Sequence, residues 1–103
     1  MQKIEKDHVL EVRSYLLTLQ ENIISMANNY DKQNFLRDEW SRKEGGGGFT
    51  CILENGEIFD KIGVNFSDIL GDHLPKAATD LRPELQGKNY QAMGVSVVCH
   101  PKN

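Results

Sequence analysis

The chain has 103 residues, enough for one domain near the lower end of common sizes and too few for two lobes with a cleft between them. Its formal charge of −3, with 26% charged residues and with Lys and Arg scattered rather than gathered into a stripe, gives no electrostatic reason to expect a nucleic-acid partner. No apolar run approaches the roughly eighteen residues of a membrane span, and the charged start Met1 to Asp7 leads into no uninterrupted apolar stretch, so the chain reads as soluble and cytoplasmic.

Asp7 is a candidate N-cap, and from there Val9, Val12, Leu16, Leu19, Ile23, Met26 and Tyr30 recur at alternating spacings of three and four. Leu10, Leu17 and Ile24 widen the stripe beyond a two-helix seam, which predicts one long amphipathic helix packed on a sheet. Asn28-Asn29 weakens the helix and places its end between Asn28 and Lys32, with a further helical turn at Phe35 and Leu36 as the alternative. Phe35 to Arg42 mixes charge with Trp40 and reads as a short strand or extended lead-in.

Glu44 followed by Gly45 to Gly48 is expected to break regular structure. A phosphate cradle would need a helix directly after the glycines, opened by Lys and Ser or Thr, whereas Phe49-Thr50-Cys51-Ile52-Leu53 is a strand. The run then reads either as a flexible linker or as backbone that comes close to a ligand or another segment.

Asn55-Gly56 is a two-residue hairpin signal. It pairs Phe49–Leu53 with Ile58–Phe66, putting Leu53 opposite Ile58 and Ile52 opposite Phe59. Apolar residues then occupy both faces near the turn, and a sheet covered on both sides is expected. Ser67 to Asn89, punctuated by Gly71, Pro75, Pro83 and Gly87, reads as a connection crossing the sheet, with a short helix around Lys76 to Leu81. Helix, hairpin, connection and strand in that order predict an α+β fold: a long N-terminal amphipathic helix on a mainly antiparallel β-sheet.

Gln91 to Asn103 reads as the closing strand. Side chains alternate along a strand, so Met93, Val95, Val97 and Cys99 form a core face. Ala92, Gly94, Ser96, Val98 and His100 form the other, with Ser96 and His100 about 13 Å apart at roughly 3.3 Å per residue. That second face is a shallow, partly polar floor on which a large flat ligand can lie. On local chemistry alone, a strand serine is simply tolerated and a lone histidine near a strand end is more often solvated than a ligand. Cys51 and Cys99 lie in apolar strand-like runs without CxxC spacing and read as reduced core residues.

Four segments together carry a family resemblance. Trp40 to Gly48 resembles the W-x-R-x-x-G-G-G-G segment of aerobic, oxygen-dependent coproporphyrinogen III oxidases. Phe59 to Ser67 resembles their F-E-K-x-G-V-N-F-S, with Asp60 as a conservative departure. Arg82-Pro83-Glu84-Leu85 is similar to R-P-E-L, and Ala92 to Asn103 to A-M-G-V-S-x-V-x-H-P-x-N. Their order and spacing over nearly the whole chain make the set specific.

The resemblance implies an enzyme of haem biosynthesis that oxidatively decarboxylates the ring A and B propionates of coproporphyrinogen III to vinyl groups. Molecular oxygen is the co-substrate, and the products are protoporphyrinogen IX, carbon dioxide and hydrogen peroxide. No organic cofactor is implied, and the sequence holds no dinucleotide fingerprint and no cysteine cluster for an iron-sulfur centre. Residue by residue, Ser96 falls on a position that contacts substrate and His100 on one assigned to a divalent metal. His8 and His73 match no ligand position and read as surface histidines. The resemblance also implies a homodimer, the typical state of full-length members.

Departures follow from the same comparison. After G-V-N-F-S many bacterial members continue with a His-containing H-V-H-G stretch, where this chain has Asp68-Ile69-Leu70-Gly71. The family's proton-donating histidine and its Asn-x-Arg substrate motif lie beyond the position of Asn103. On that reading residues 1–103 are a single partial domain, about the first third of a member and an incomplete part of a larger helix-flanked sheet. The chain alone is then expected to be inactive, with no catalytic residue of its own. Ser96, backbone N–H groups near the glycines, Arg42 and Arg82 are the groups left to hold a substrate carboxylate. The competing readings are a non-catalytic tetrapyrrole-binding module and a fragment that associates through the edge of its last strand.

Overall fold

In the computed structural model, which describes residues 2–73 and 76–103, the first element is the helix α1, Gln2–Tyr30. It starts before Asp7, which is an exposed residue inside the helix and not its cap. Nothing in Gln2 to Lys6 breaks a helix, so the cap signal at Asp7 has no boundary to mark. The C-terminal end falls in the expected interval, where the Asp31 N–H closes the last turn on the Ala27 carbonyl at 3.0 Å.

The helix rests on the sheet along a line different from the one its apolar spacing suggests. Gln20 and Ala27 are buried, and Ile23 and Ile24 pack beside Ala27 against Leu53, Ile62 and Val64. Val12, Met26 and Tyr30, three members of the expected stripe, are exposed, as is Leu10. Ala27 is small enough for close approach. Gln20 is tolerated between helix and sheet because its amide finds acceptors there. The larger apolar residues straddle this line, and some are left facing outward.

Four strands follow: β1 Leu36–Ser41, β2 Gly46–Glu54, β3 Phe59–Gly71 and β4 Tyr90–Pro101. They form one antiparallel sheet in the order β1-β2-β3-β4, so each strand pairs with the next. The α+β expectation holds, with α1 covering one face. Among the described residues the opposite face carries no covering element, unlike the two-sided cover expected from the hairpin.

The register of the hairpin also differs from the expected one. Leu53 lies opposite Ile62 and Ile52 opposite Gly63, so the turn is longer than Asn55-Gly56 alone. Asn55 does take the left-handed conformation at φ 57°. The chain closes only later, through Asn55 N–H to Asp60 O and Gly56 N–H to Phe59 O, each at 2.9 Å. Asp31, buried at the end of α1, imposes this shape: its carboxylate accepts the N–H groups of Glu57, Ile58 and Phe59 at 3.2, 3.0 and 3.1 Å. The Phe59 N–H foremost, then those of Ile58, Glu57 and Gln33, hold the Asp31 carboxyl below its ordinary pKa, against the opposing effect of burial.

The glycines do not break regular structure, because Gly46 to Gly48 begin β2. Gly45 and Gly46, with φ of 123° and 81°, turn the chain from β1 into β2. Ser67 to Gly71 extends β3, and the segment after it returns beside the same strand instead of crossing the sheet. It carries a single helical turn at Lys76–Thr79 and a 3₁₀ turn at Pro83–Leu85. Met1 and Pro75 lie outside the described residues.

The core lies between α1 and the β2–β3–β4 face, where Leu53, Val64 and Phe66 are fully buried. Each such side chain contributes about 1.5–3 kcal/mol of transfer free energy. Cys51 belongs to this layer, but Cys99 is exposed on β4, so only one of the two thiols is a core residue. As an outer strand, β4 gives Val97 and Cys99 too few neighbours for burial, although they share the helix-side face with Val95.

Candidate functional site

The face of the sheet away from α1 is built from alternate residues of all four strands. Register places Thr50, Asn65 and Ser96 side by side across β2, β3 and β4. The next rows towards the β2–β3 turn are Ile52, Gly63 and Val98, then Glu54, Lys61 and His100. Thr50, Ile52, Lys61, Gly63, Asn65, Ser96, Val98 and His100 together line a shallow recess of about 290 Å³. A Cβ on Gly63 or Gly94 would meet nothing within 4 Å, and its absence keeps the floor low beside Ser96.

Ser96 and His100 therefore stand on one face, as the alternation along β4 predicts, and the recess joins them. Arg42 and Arg82 do not line it: Arg42 pairs with Glu44 at 3.1 Å and Arg82 with Glu84 at 3.0 Å. His8 and His73 are exposed and stand apart from it. The glycine run contributes through backbone geometry rather than through an N–H cradle. A Cβ on Gly48 would meet the Phe66 carbonyl oxygen and lie 2.7 Å from Trp40 Cζ2. The bare Gly48 thus lets the Trp40 ring cross β2.

Trp40 uses that space to donate its indole N–H to Thr50 Oγ1 at 3.0 Å, and Thr50 donates in turn to Asn65 Oδ1 at 2.7 Å. These residues escaped the sequence reading. The signal was there, since Thr50 and Asn65 are polar and stand on the non-core side of their strands, but it becomes legible only with the true β2–β3 register.

The charge of the recess differs from that of the chain. Its lining offers the Lys61 ammonium, the His100 imidazole, the Ser96 hydroxyl and the Asn65 amide, and the nearest carboxylates on this face, Glu54 beside Lys61 and Asp38 beside Thr50, stand outside the lining. The chain as a whole carries 15 acidic residues against 12 Lys and Arg. Such a surface suits a flat ligand with anionic edges. It does not suit a divalent metal at His100. Among the described residues no group of three or more His, Cys, Asp and Glu side chains gathers, and the residue opposite His100 is the cationic Lys61.

Among the described residues no helix is long and apolar enough to cross a membrane. The family model described as Coproporphyrinogen III oxidase matches residues 11–103.

Proposed function

Because this chain belongs to the coproporphyrinogen III oxidase family, we propose that it serves the oxygen-dependent conversion of coproporphyrinogen III to protoporphyrinogen IX by presenting the sheet face on which the tetrapyrrole lies. In that reaction each of two propionates loses its carboxyl as carbon dioxide and a hydride equivalent from its β-carbon. The two electrons and two protons leave with dioxygen as hydrogen peroxide, and a vinyl group remains. The supporting observation is the donor-lined recess around Ser96. Ser96 is the substrate contact, donating its hydroxyl to a propionate carboxylate, while the Lys61 ammonium and a His100 ring N–H offer donors at the other end of the recess.

An open floor holds a ligand without enclosing it, and water is not excluded from the reacting carbon. On this reading the 103 residues bind the tetrapyrrole and do not convert it. Fluorescence titration with coproporphyrin III tests the binding; saturable quenching is expected, weakened about tenfold or more by Ser96→Ala, the loss of one hydrogen bond to a charged group. Aerobic incubation with coproporphyrinogen III, followed by chromatography of the oxidised porphyrins, tests the rest. Enzymatic conversion by this chain would refute its inactivity, and absence of saturable binding would refute the site.

A second reading, association through the outer strand, draws on the exposed Val97 and Val98 of β4. It places the contact of a homodimer at that edge, and sedimentation across a concentration series distinguishes it from a monomeric binding module.

A further inference from the structure

We propose that Asn65 is a second ligand-contacting residue beside Ser96, its amide preset by the Trp40–Thr50 pair to donate its N–H groups to a carboxylate of the bound molecule. The inference rests on the tetrapyrrole reading of the recess and extends it to a residue on the neighbouring strand.

Donor chemistry sets the direction of the chain of hydrogen bonds. An indole nitrogen can only donate, so the Thr50 hydroxyl accepts from Trp40 Nε1. Its single proton is then directed to Asn65 Oδ1, and 2.7 Å is an ordinary separation for an O–H donor. With Oδ1 occupied, the functional end of Asn65 is its Nδ2 group. Among the described residues Nδ2 has no hydrogen-bond partner, and Asn65 lines the recess directly opposite Ser96. An amide held only by its oxygen, beside a hydroxyl and within a lining free of carboxylates, recognises an acceptor-only group. A propionate carboxylate is such a group.

Preorganisation explains the role of Trp40. Its ring passes over Gly48 and fixes Thr50, which fixes the amide, so the donors wait in place before the ligand arrives. A side chain that turned freely would spend part of the binding free energy on being ordered.

The discriminating variant is Asn65→Asp. It keeps an oxygen to accept from Thr50, removes the donors and adds a charge that repels a carboxylate, so it is read together with Thr50→Val, which frees the amide without adding charge and for which a purely structural role predicts unchanged affinity. In titrations of the full chain with coproporphyrin III, we expect Asn65→Asp to weaken binding about tenfold or more, with an unaltered circular dichroism spectrum. Coproporphyrin III tetramethyl ester, which lacks the carboxylates, should bind wild type and variant equally.

Wild-type affinity in Asn65→Asp overturns the assignment, as does equal discrimination against the ester in both proteins. Thr50→Val decides the question whether or not Asn65→Asp keeps the wild-type spectrum, because it releases the amide without adding charge; a several-fold loss is expected and no loss overturns the proposal. Failure of the wild type to bind coproporphyrin III overturns the reading of the recess and this inference together. Binding by the wild type with full affinity in the variants removes Asn65 alone.

Discussion

Gln20 on α1 and Val64 on β3 are joined inside the protein: the Gln20 amide nitrogen donates to the Val64 carbonyl at 3.1 Å and also to the Phe49 carbonyl of β2 at 3.0 Å. One side chain thereby ties the helix to two neighbouring strands. Val64 and Cys51 point towards α1 from this layer, and Asn65 and Thr50 point from the opposite face into the recess, so the tie also braces the floor of the site.

Gln20→Ala should destabilise the fold by about 1–3 kcal/mol in urea unfolding, through two lost hydrogen bonds and a partly empty space. Gln20→Glu should cost more at pH 7, where a buried carboxylate would face two carbonyl oxygens. Burial raises the folded pKa of such a group above its unfolded value, so its penalty must shrink as the pH falls. A Glu variant equal to wild type at pH 7 would exclude this arrangement.

Asp31 should govern acid stability. Its folded pKa lies below the unfolded value, so its contribution is present above about pH 4 and is lost as the pH falls through the folded value. Urea midpoints measured between pH 2 and 7 should therefore fall less steeply on acidification in Asp31→Asn than in wild type. Gly56→Ala should destabilise at every pH, because its Cβ would collide with the Asp31 carboxylate.

Gly48 and Gly63, both on the open face, should respond oppositely to enlargement. Gly48→Ala forces β2 from the Phe66 carbonyl and from Trp40 and is expected to cost about 1–3 kcal/mol. Gly63→Val meets only open space, so stability should hold or rise by up to about 1 kcal/mol. The new side chain stands on the floor, however, and coproporphyrin III affinity should drop about tenfold, roughly 1.4 kcal/mol. Undiminished affinity would mean that the ligand does not lie there.

Thiol labelling should separate the cysteines. Cys99 is exposed, whereas Cys51 is buried, and burial chiefly, with a smaller push from Glu21 against the pull of Arg37, raises its thiol pKa. An aromatic disulfide reagent should titrate one thiol quickly in the native chain and the second only on unfolding. Two fast thiols would contradict the packing of α1 on β2.

Local pattern was enough for the long helix, the end of that helix near Tyr30, the strand character of Phe49–Leu53 and the sharing of one face by Ser96 and His100. Each depends on neighbours within a few positions along the chain, through the period of 3.6 in a helix or 2 in a strand. Motif order carried the family, and the family model reaches the same result over residues 11–103.

What local pattern did not contain was register and rotation. Asn55-Gly56 suggested the shortest turn, but the Asp31 carboxylate, far away in sequence, gathers the N–H groups of residues 57–59 and moves β3 four positions along β2. The apolar stripe of α1 suggested one contact line, and a buried glutamine with strand carbonyls as partners selected another. Short-range spacing and motif order specify the long helix, the strand character of Phe49–Leu53 and the family the chain joins, because each is written within a few neighbouring positions. That Trp40, Thr50, Asn65 and Ser96 meet on one floor is settled by strand alignment alone, because hydrogen-bond partners in a sheet come from distant segments whose alignment depends on contacts made elsewhere.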